Sequence, residues 1–318
     1  MTAQNKPELR PVRRESLAPS GRLEELGLHP APLAFGLAGI GGAWGPVDPG
    51  LARETLRQAI ELGVKVFDVA PSYGTAESLL GAALAGWSGP RPVISTKVGR
   101  LPGRDGLEVK FDYSSAGLRA SLERSLATLG VPQVDLLFLH EPGLVPVAER
   151  ARVVDALRQL QADGLARRLG IAGGMGAEWD GYVETGAFDV VMLFRRLDAC
   201  IFDGLVDDVP RVRRAGWATY GASPLHMGLL GSRYEEFLRD PPDWVWAGPR
   251  ERAVRLQALA EKRGLTLPQL AHGFMFSVAD VDRVVIGART PAELLDAWAA
   301  WHAGPLPEAL FEEVCEAQ

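Results

Sequence analysis

The stretch Asp135-Leu136-Leu137-Phe138-Leu139-His140 decides the fold: four consecutive apolar residues, opened by an acid and closed by an imidazole. A run this short and apolar on both faces reads as a parallel strand buried on both sides. The residues before it predict a helix over 115–129 that Gly130 stops, so helix and strand alternate here. The same unit recurs upstream. Val64-Lys65-Val66-Phe67-Asp68 follows a helix predicted over 49–62, with Asp48 as N-cap and Gly63 as stop. Pro92-Val93-Ile94-Ser95-Thr96-Lys97 follows a helix that Thr75 caps and that runs to Leu84. A first strand over 32–38 ends in the loop Gly39-Ile40-Gly41-Gly42.

Downstream the rhythm continues. A helix is expected over 147–162, stopped by Gly164, then strands over 169–172 and 189–194, a helix ending near Arg214, and a strand over 217–222. Residues 234–249 form an insertion rich in Trp, Pro and Gly, followed by helices over 251–263 and 267–277. A strand over 284–287, a helix over 291–301 and an extra C-terminal helix over 307–316 complete the pattern. Eight strand–helix units without a linker-like break predict an α/β fold, a single (β/α)8 TIM barrel over 29–318, with 1–28 as a flexible lead-in.

In such a barrel the strand ends and the loops after them converge on one face. Asp68, Lys97 and His140 close three successive strands, and Tyr73 lies in the loop Pro71-Ser72-Tyr73-Gly74. Taken singly, each has a structural reading: a strand-end cap, a rim lysine reaching solvent, a core histidine, a packing tyrosine. Together they put an acid, a phenol, an amine and an imidazole in one pocket, which predicts proton transfer. Tyr73 is the natural donor, but a free phenol titrates near ~10 and needs tuning. A cationic Lys97 would favour the phenolate, and Asp68 would be its counter-ion. His140 would orient a carbonyl or alcohol oxygen by hydrogen bonding.

The bulk composition narrows the choice. The 318 residues are 47% hydrophobic and carry a net charge of −6, with a pI near 5.5. That balance argues against nucleic acid, which demands a basic face. No run approaches the roughly 18 apolar residues of a membrane helix. The first twenty residues carry Arg10, Arg13 and Arg14 without an apolar signal core. Cys200 and Cys315 lie far apart, which fits a reducing cytoplasm. The five histidines form no ligand-spaced pair, so no metal is expected. Nucleophile-elbow and Rossmann glycine signatures are absent. The glycines Gly170, Gly173, Gly174 and Gly176 let backbone approach a ligand or form a tight turn.

Phe67-Asp68-Val69-Ala70-Pro71-Ser72-Tyr73-Gly74 with Glu77 and Leu80-Gly81, then Ser95-Thr96-Lys97-Val98-Gly99, then residues 134–142, resemble the aldo/keto reductase superfamily in order and spacing. The likeness extends from about Leu33 onward. It implies a tetrad of Asp68, Tyr73, Lys97 and His140, an NAD(P) cofactor, and Tyr73 as general acid/base for hydride transfer. Phe111-Asp112-Tyr113-Ser114 and Ala222-Ser223-Pro224-Leu225-His226-Met227-Gly228 are similar to the aldose dehydrogenase branch, with L-fucose, D-threo-aldose and L-galactose dehydrogenases. An aldose or small carbonyl/alcohol substrate is then implied.

The resemblance also assigns cofactor positions: Ala172, Gly173, Met192, Ser223, Leu225, Gly287, Arg289 and Glu293. Several depart from the family. Many members hold the carboxamide with Ser-Asn and Gln where this chain has Ala172, Gly173 and Met192, and Ala222 replaces a common stacking aromatic. NADP-preferring relatives place Lys and Arg near the positions of Gly287 and Glu293. A carboxylate there repels a 2′-phosphate, which favours NAD. Trp44, Phe111, Tyr113 and His226 follow strand ends and are the expected substrate contacts. Two other classes stay open: an aldolase using Lys97 as imine nucleophile, and a nucleotide-binding regulatory subunit with little turnover.

Overall fold

The computed structural model describes residues 11–103, 109–174 and 179–317. The described residues hold ten strands in chain order: β1 (Leu33–Gly36), β2 (Val66–Asp68), β3 (Val93–Val98), β4 (Arg100–Pro102), β5 (Val109–Phe111), β6 (Val134–His140), β7 (Ala166–Gly173), β8 (Val190–Phe194), β9 (Ala218–Ala222) and β10 (Arg283–Gly287). Eight of them close a parallel barrel in the order β1-β10-β9-β8-β7-β6-β3-β2, while β4 and β5 form an antiparallel hairpin. This is a (β/α)8 TIM barrel.

Two-residue alternation sorts the side chains of each barrel strand. Val66, Leu136, Phe138, Val190, Met192, Ala218 and Tyr220 fill the interior. Phe67, Leu137, Leu139, Leu169, Ile171, Val191 and Leu193 join the cluster between strands and helices. Both faces are buried, which is why these strands read as continuous apolar runs. Gly170 is required by packing: a Cβ there would stand 2.7 Å from the Phe138 ring.

Helix ends follow local chemistry. Asp48 accepts from the Leu51 N–H at 2.8 Å, ahead of the helix Pro49–Glu61. Ser114 accepts from the Gly117 N–H at 3.0 Å ahead of Ser115–Leu129, which ends on a left-handed Gly130. Each such cap is worth about 1 kcal/mol. Thr75 behaves differently from the expectation: it makes no side-chain cap for Ala76–Ala85, and its hydroxyl donates instead to the Gly41 carbonyl at 3.4 Å.

Other departures have physical causes. The glycine-rich loop after β1 is a helical turn, Ala38–Gly41, where close packing leaves no room for a Cβ on Gly41. The helix expected from residue 251 starts earlier, at Ala247, because Pro249 is tolerated in a first turn. The stretch after β8 includes a π turn, Gly204–Asp208, before the helix Val209–Arg214. Residues 1–10 of the expected lead-in lie outside the described residues. From Pro11 onward the segment is anchored rather than loose. The Arg14 guanidinium donates to the carbonyls of Val278 and Val281. Leu23, on the short helix Gly21–Glu25, and Leu28 join the interior cluster and plug the barrel base. Arg283, fully buried below, donates to the carbonyls of His29 and Ala31 and to the Tyr220 hydroxyl.

Candidate active site

The alternation that builds the core also builds the site. Asp68, Lys97 and His140 occupy inward positions at the carboxyl ends of β2, β3 and β6, above Val66, Ser95 and Phe138. Lys97 Nζ lies 2.5 Å from Asp68 Oδ2 and donates to the Val69 carbonyl at 3.0 Å. The second Asp68 oxygen accepts from Ser95 Oγ at 2.7 Å. Lys97 Nζ also stands 4.8 Å from the centre of the Tyr73 ring. The Tyr73 and His140 rings meet edge to face with centroids 6.0 Å apart. Outward-facing Thr96 donates to Glu77 at 2.7 Å, tying β3 to the helix behind it.

Electrostatics follow from burial. Desolvation works against the Lys97 ammonium, but Asp68, Tyr73 and their hydrogen bonds outweigh it and raise its pKa. At Tyr73 the balance is opposite to the sequence expectation. Burial raises the phenol pKa more than Lys97 lowers it, and Asp68 adds to the rise. The phenol therefore holds its proton at neutral pH. Burial, then the Lys97 and Arg100 cations, push His140 well below its usual pKa. Its imidazole is neutral, a hydrogen-bonding group rather than a cation.

A cavity of about 360 Å³ opens over these four residues, a size within the usual range of small-molecule sites. Ala172, Gly173, Met192, Ser223, Leu225, Gly287, Arg289 and Glu293 all line it, as does Trp44. Three expected contacts do not. Tyr113 lies beneath the wall, its hydroxyl donating to the carbonyls of His140 and Glu141 at 2.9 Å each. Phe111 stacks on Tyr113 from the exposed hairpin. His226 is fully buried and paired through Nδ1 with Asp198 Oδ2 at 2.7 Å, which pins the loop after β9 to the loop after β8. Gly176 lies outside the described residues.

Some lining residues were not anticipated: Arg100, Glu141, Phe194, Trp244 and His272. Glu141 directly follows β6 and Arg100 lies two residues past β3, so position alone could have found them. Phe194 closes β8, and its place there carries no further signal. Trp244 and His272 arrive from a distant loop and helix and carry no local signal. The rim is also strained. Among the described residues, left-handed backbone outside glycine occurs at Glu141, Arg195, Ser223, His226 and Met227. The first three immediately follow β6, β8 and β9, and such strain concentrates at functional rims.

Comparison with known proteins adds to this geometry. The model of the aldo/keto reductase family matches residues 32–318. D-threo-aldose 1-dehydrogenase from a Pseudomonas species is 28% identical over 320 residues, covering 92% of this chain and 95% of the relative. L-galactose dehydrogenase from Arabidopsis thaliana is 29% identical over 284 residues, covering 86% and 84% respectively. Among solved structures, the holo form of an aldo-keto reductase from Bacillus halodurans superposes with a TM-score of 0.76 at 21% identity, covering 97% of this chain and 96% of that one. Among the described residues, no helix is long and apolar enough to cross a membrane, and no cluster of metal-ligating side chains occurs.

Proposed function

This chain belongs to the aldo/keto reductase family and is an oxidoreductase, and from that premise we propose that it interconverts an aldose, or a small polyhydroxy carbonyl, with its oxidised or reduced partner, using Tyr73 as general acid/base. The observation that carries the reading is the buried Lys97–Asp68 pair set against the Tyr73 ring, with His140 on the other side, at the floor of one cavity. A nicotinamide dinucleotide, when bound, supplies or accepts the hydride. The residues present suit such a group. Small side chains at Gly36, Ala172, Gly173, Ala222 and Gly287 leave room beside the tetrad for a flat ring, and Ser223, Leu225 and Arg289 extend the same wall.

In the reducing direction the protonated Tyr73 gives its proton to the carbonyl oxygen, and His140 polarises that oxygen by hydrogen bonding. In the oxidising direction the ionised form of Tyr73 takes the proton of the alcohol, so the phenol must first lose its own proton to solvent. Lys97, fixed by Asp68 and the Val69 carbonyl, stabilises the phenolate that the reducing direction leaves behind. Trp44, Phe194 and Trp244 offer apolar faces, while Arg100 offers a hydrogen-bond donor. That mixture suits a sugar, which has apolar C–H faces and hydroxyl edges.

For the cofactor we favour NAD. Glu293 and Asp296 line the cavity and would repel a 2′-phosphate. Arg289, the nearest basic counterweight, turns its guanidinium to the Pro46 carbonyl at 2.8 Å. Glu293 also accepts from the Arg289 N–H at 2.7 Å, which fixes its carboxylate in place. Cys200 and Cys315, both buried and far apart in the chain, fit the cytoplasmic setting we favour. The imine-forming alternative is disfavoured by the raised pKa of Lys97, since a nucleophilic amine must be neutral. Tyr73→Phe should lower turnover by at least about 10²-fold and leave nucleotide affinity nearly unchanged. Full turnover in that variant, followed by nicotinamide absorbance, would remove Tyr73 from its assigned role.

A further inference from the structure

The wall on which the proposed cofactor would rest has an unusual composition. Ala172, Gly173 and Met192 line it without offering any hydrogen-bonding side chain. Glu141 supplies one from the neighbouring strand end. Its Oε2 lies 2.7 Å from where a Cβ on Gly173 would stand, so its carboxylate fills the volume that a side chain at 173 would take. The Glu141 backbone is left-handed (φ 53, ψ 57), which swings the side chain back across the end of β7. That turn is held on both sides: the Glu141 N–H donates to the Ala172 carbonyl at 2.8 Å, and the Tyr113 hydroxyl donates to the Glu141 carbonyl at 2.9 Å.

The carboxylate is half-buried and under-partnered. The Gly174 N–H donates to it, and Arg100 and Arg195 influence it only through space. Among the described residues no cation reaches ion-pair distance. An ionised carboxylate has about four acceptor sites, so most of its capacity faces the cavity. A primary amide brings two N–H donors.

We infer that Glu141 is the acceptor that orients the nicotinamide carboxamide in this chain. This rests on the reading that a nicotinamide dinucleotide binds in the cavity. It gives Glu141 a positioning role distinct from the tetrad, and explains why Gly173 carries no side chain: anything larger would evict the carboxylate.

The test is a binding measurement on the full chain, by quenching of tryptophan fluorescence. The probes are NAD and its 3-acetylpyridine analogue, in which a methyl group replaces the amide nitrogen. The native chain should prefer NAD roughly tenfold, the worth of one hydrogen bond to a charged acceptor. In Glu141→Ala the ratio should fall to about one, through weaker NAD binding with little change for the analogue. Glu141→Met, of similar length, applies the same criterion if the alanine variant does not fold. A preference that survives in these variants, or an equal loss for both nucleotides, overturns the inference and leaves the cofactor reading standing. Failure of the native chain to bind either nucleotide overturns the reading beneath it.

Discussion

Replacing both members of the Lys97–Asp68 pair should cost less stability than replacing either one. The two side chains are 1% and 4% exposed, with N and O 2.5 Å apart. Asp68→Leu leaves an ammonium buried with no counter-charge, only the Val69 carbonyl and the Tyr73 hydroxyl to accept from it. Lys97→Met leaves a carboxylate with the Ser95 hydroxyl alone. Breaking a buried pair by removing one partner costs about 3–5 kcal/mol, because the other charge stays buried. The double variant removes both charges, and Ser95 Oγ can fall back on the Phe67 carbonyl at 3.5 Å. Its loss should be only about 0–2 kcal/mol. Urea denaturation of the four proteins closes the cycle and isolates the coupling. Turnover should be lost in all three variants, so stability and activity separate in the double variant. Simply additive losses would refute the reasoning, since they would mean that neither charge depends on the other.

Acid should destabilise the protein partly through His272. Burial lowers its pKa from 6.5 to about 4. The unfolded chain therefore takes up a proton below pH 6.5 while the folded chain does not, and stability falls at about 1.4 kcal/mol per pH unit down to about pH 4. His272→Leu should flatten the urea midpoint between pH 6.5 and 4.5 relative to the native chain; an unchanged slope would show that the ring is protonated in the fold. His226→Ala should cost about 3 kcal/mol by leaving the Asp198 carboxylate buried with only the Cys200 N–H. It should also weaken nucleotide binding, because Leu225 and Met227 line the cavity. A direct substrate contact would instead raise KM with no change in thermal midpoint.

The barrel was legible because each strand is a short apolar run bracketed by helices with real stop signals, as at Gly130 and Gly164, which hold left-handed backbone. Asp68, Lys97 and His140 were legible for the same reason: strand ends on one face must meet. Tyr113 and His226 were placed by proximity in sequence, and proximity gives no rotamer. Tyr113 turns inward because Gly99 leaves room for its ring, which a Cβ there would meet at 2.4 Å. His226 turns away because Asp198, on another loop, is its partner. The anchored segment from Pro11 was missed because the partners of Arg13 and Arg14 are backbone carbonyls 264 to 293 residues away, and carbonyls leave no trace in a sequence.

The sign of the shift at Tyr73 shows a deeper limit. Counting the Lys97 ammonium alone predicts a lowered phenol pKa. In the fold that ammonium is half of a tight pair, and the Asp68 charge opposes its pull on the phenol. Lys97 still favours the phenolate, through its charge and a hydrogen bond, but burial is the largest influence and Asp68 adds to it. Desolvation then wins, and the ring keeps its proton. The arrangement suits a group that must release a proton only when negative charge builds on a neighbouring oxygen. Asp68 therefore has two consequences that pull apart: it keeps Lys97 charged inside the barrel, and it opposes the pull of that charge on the Tyr73 phenol.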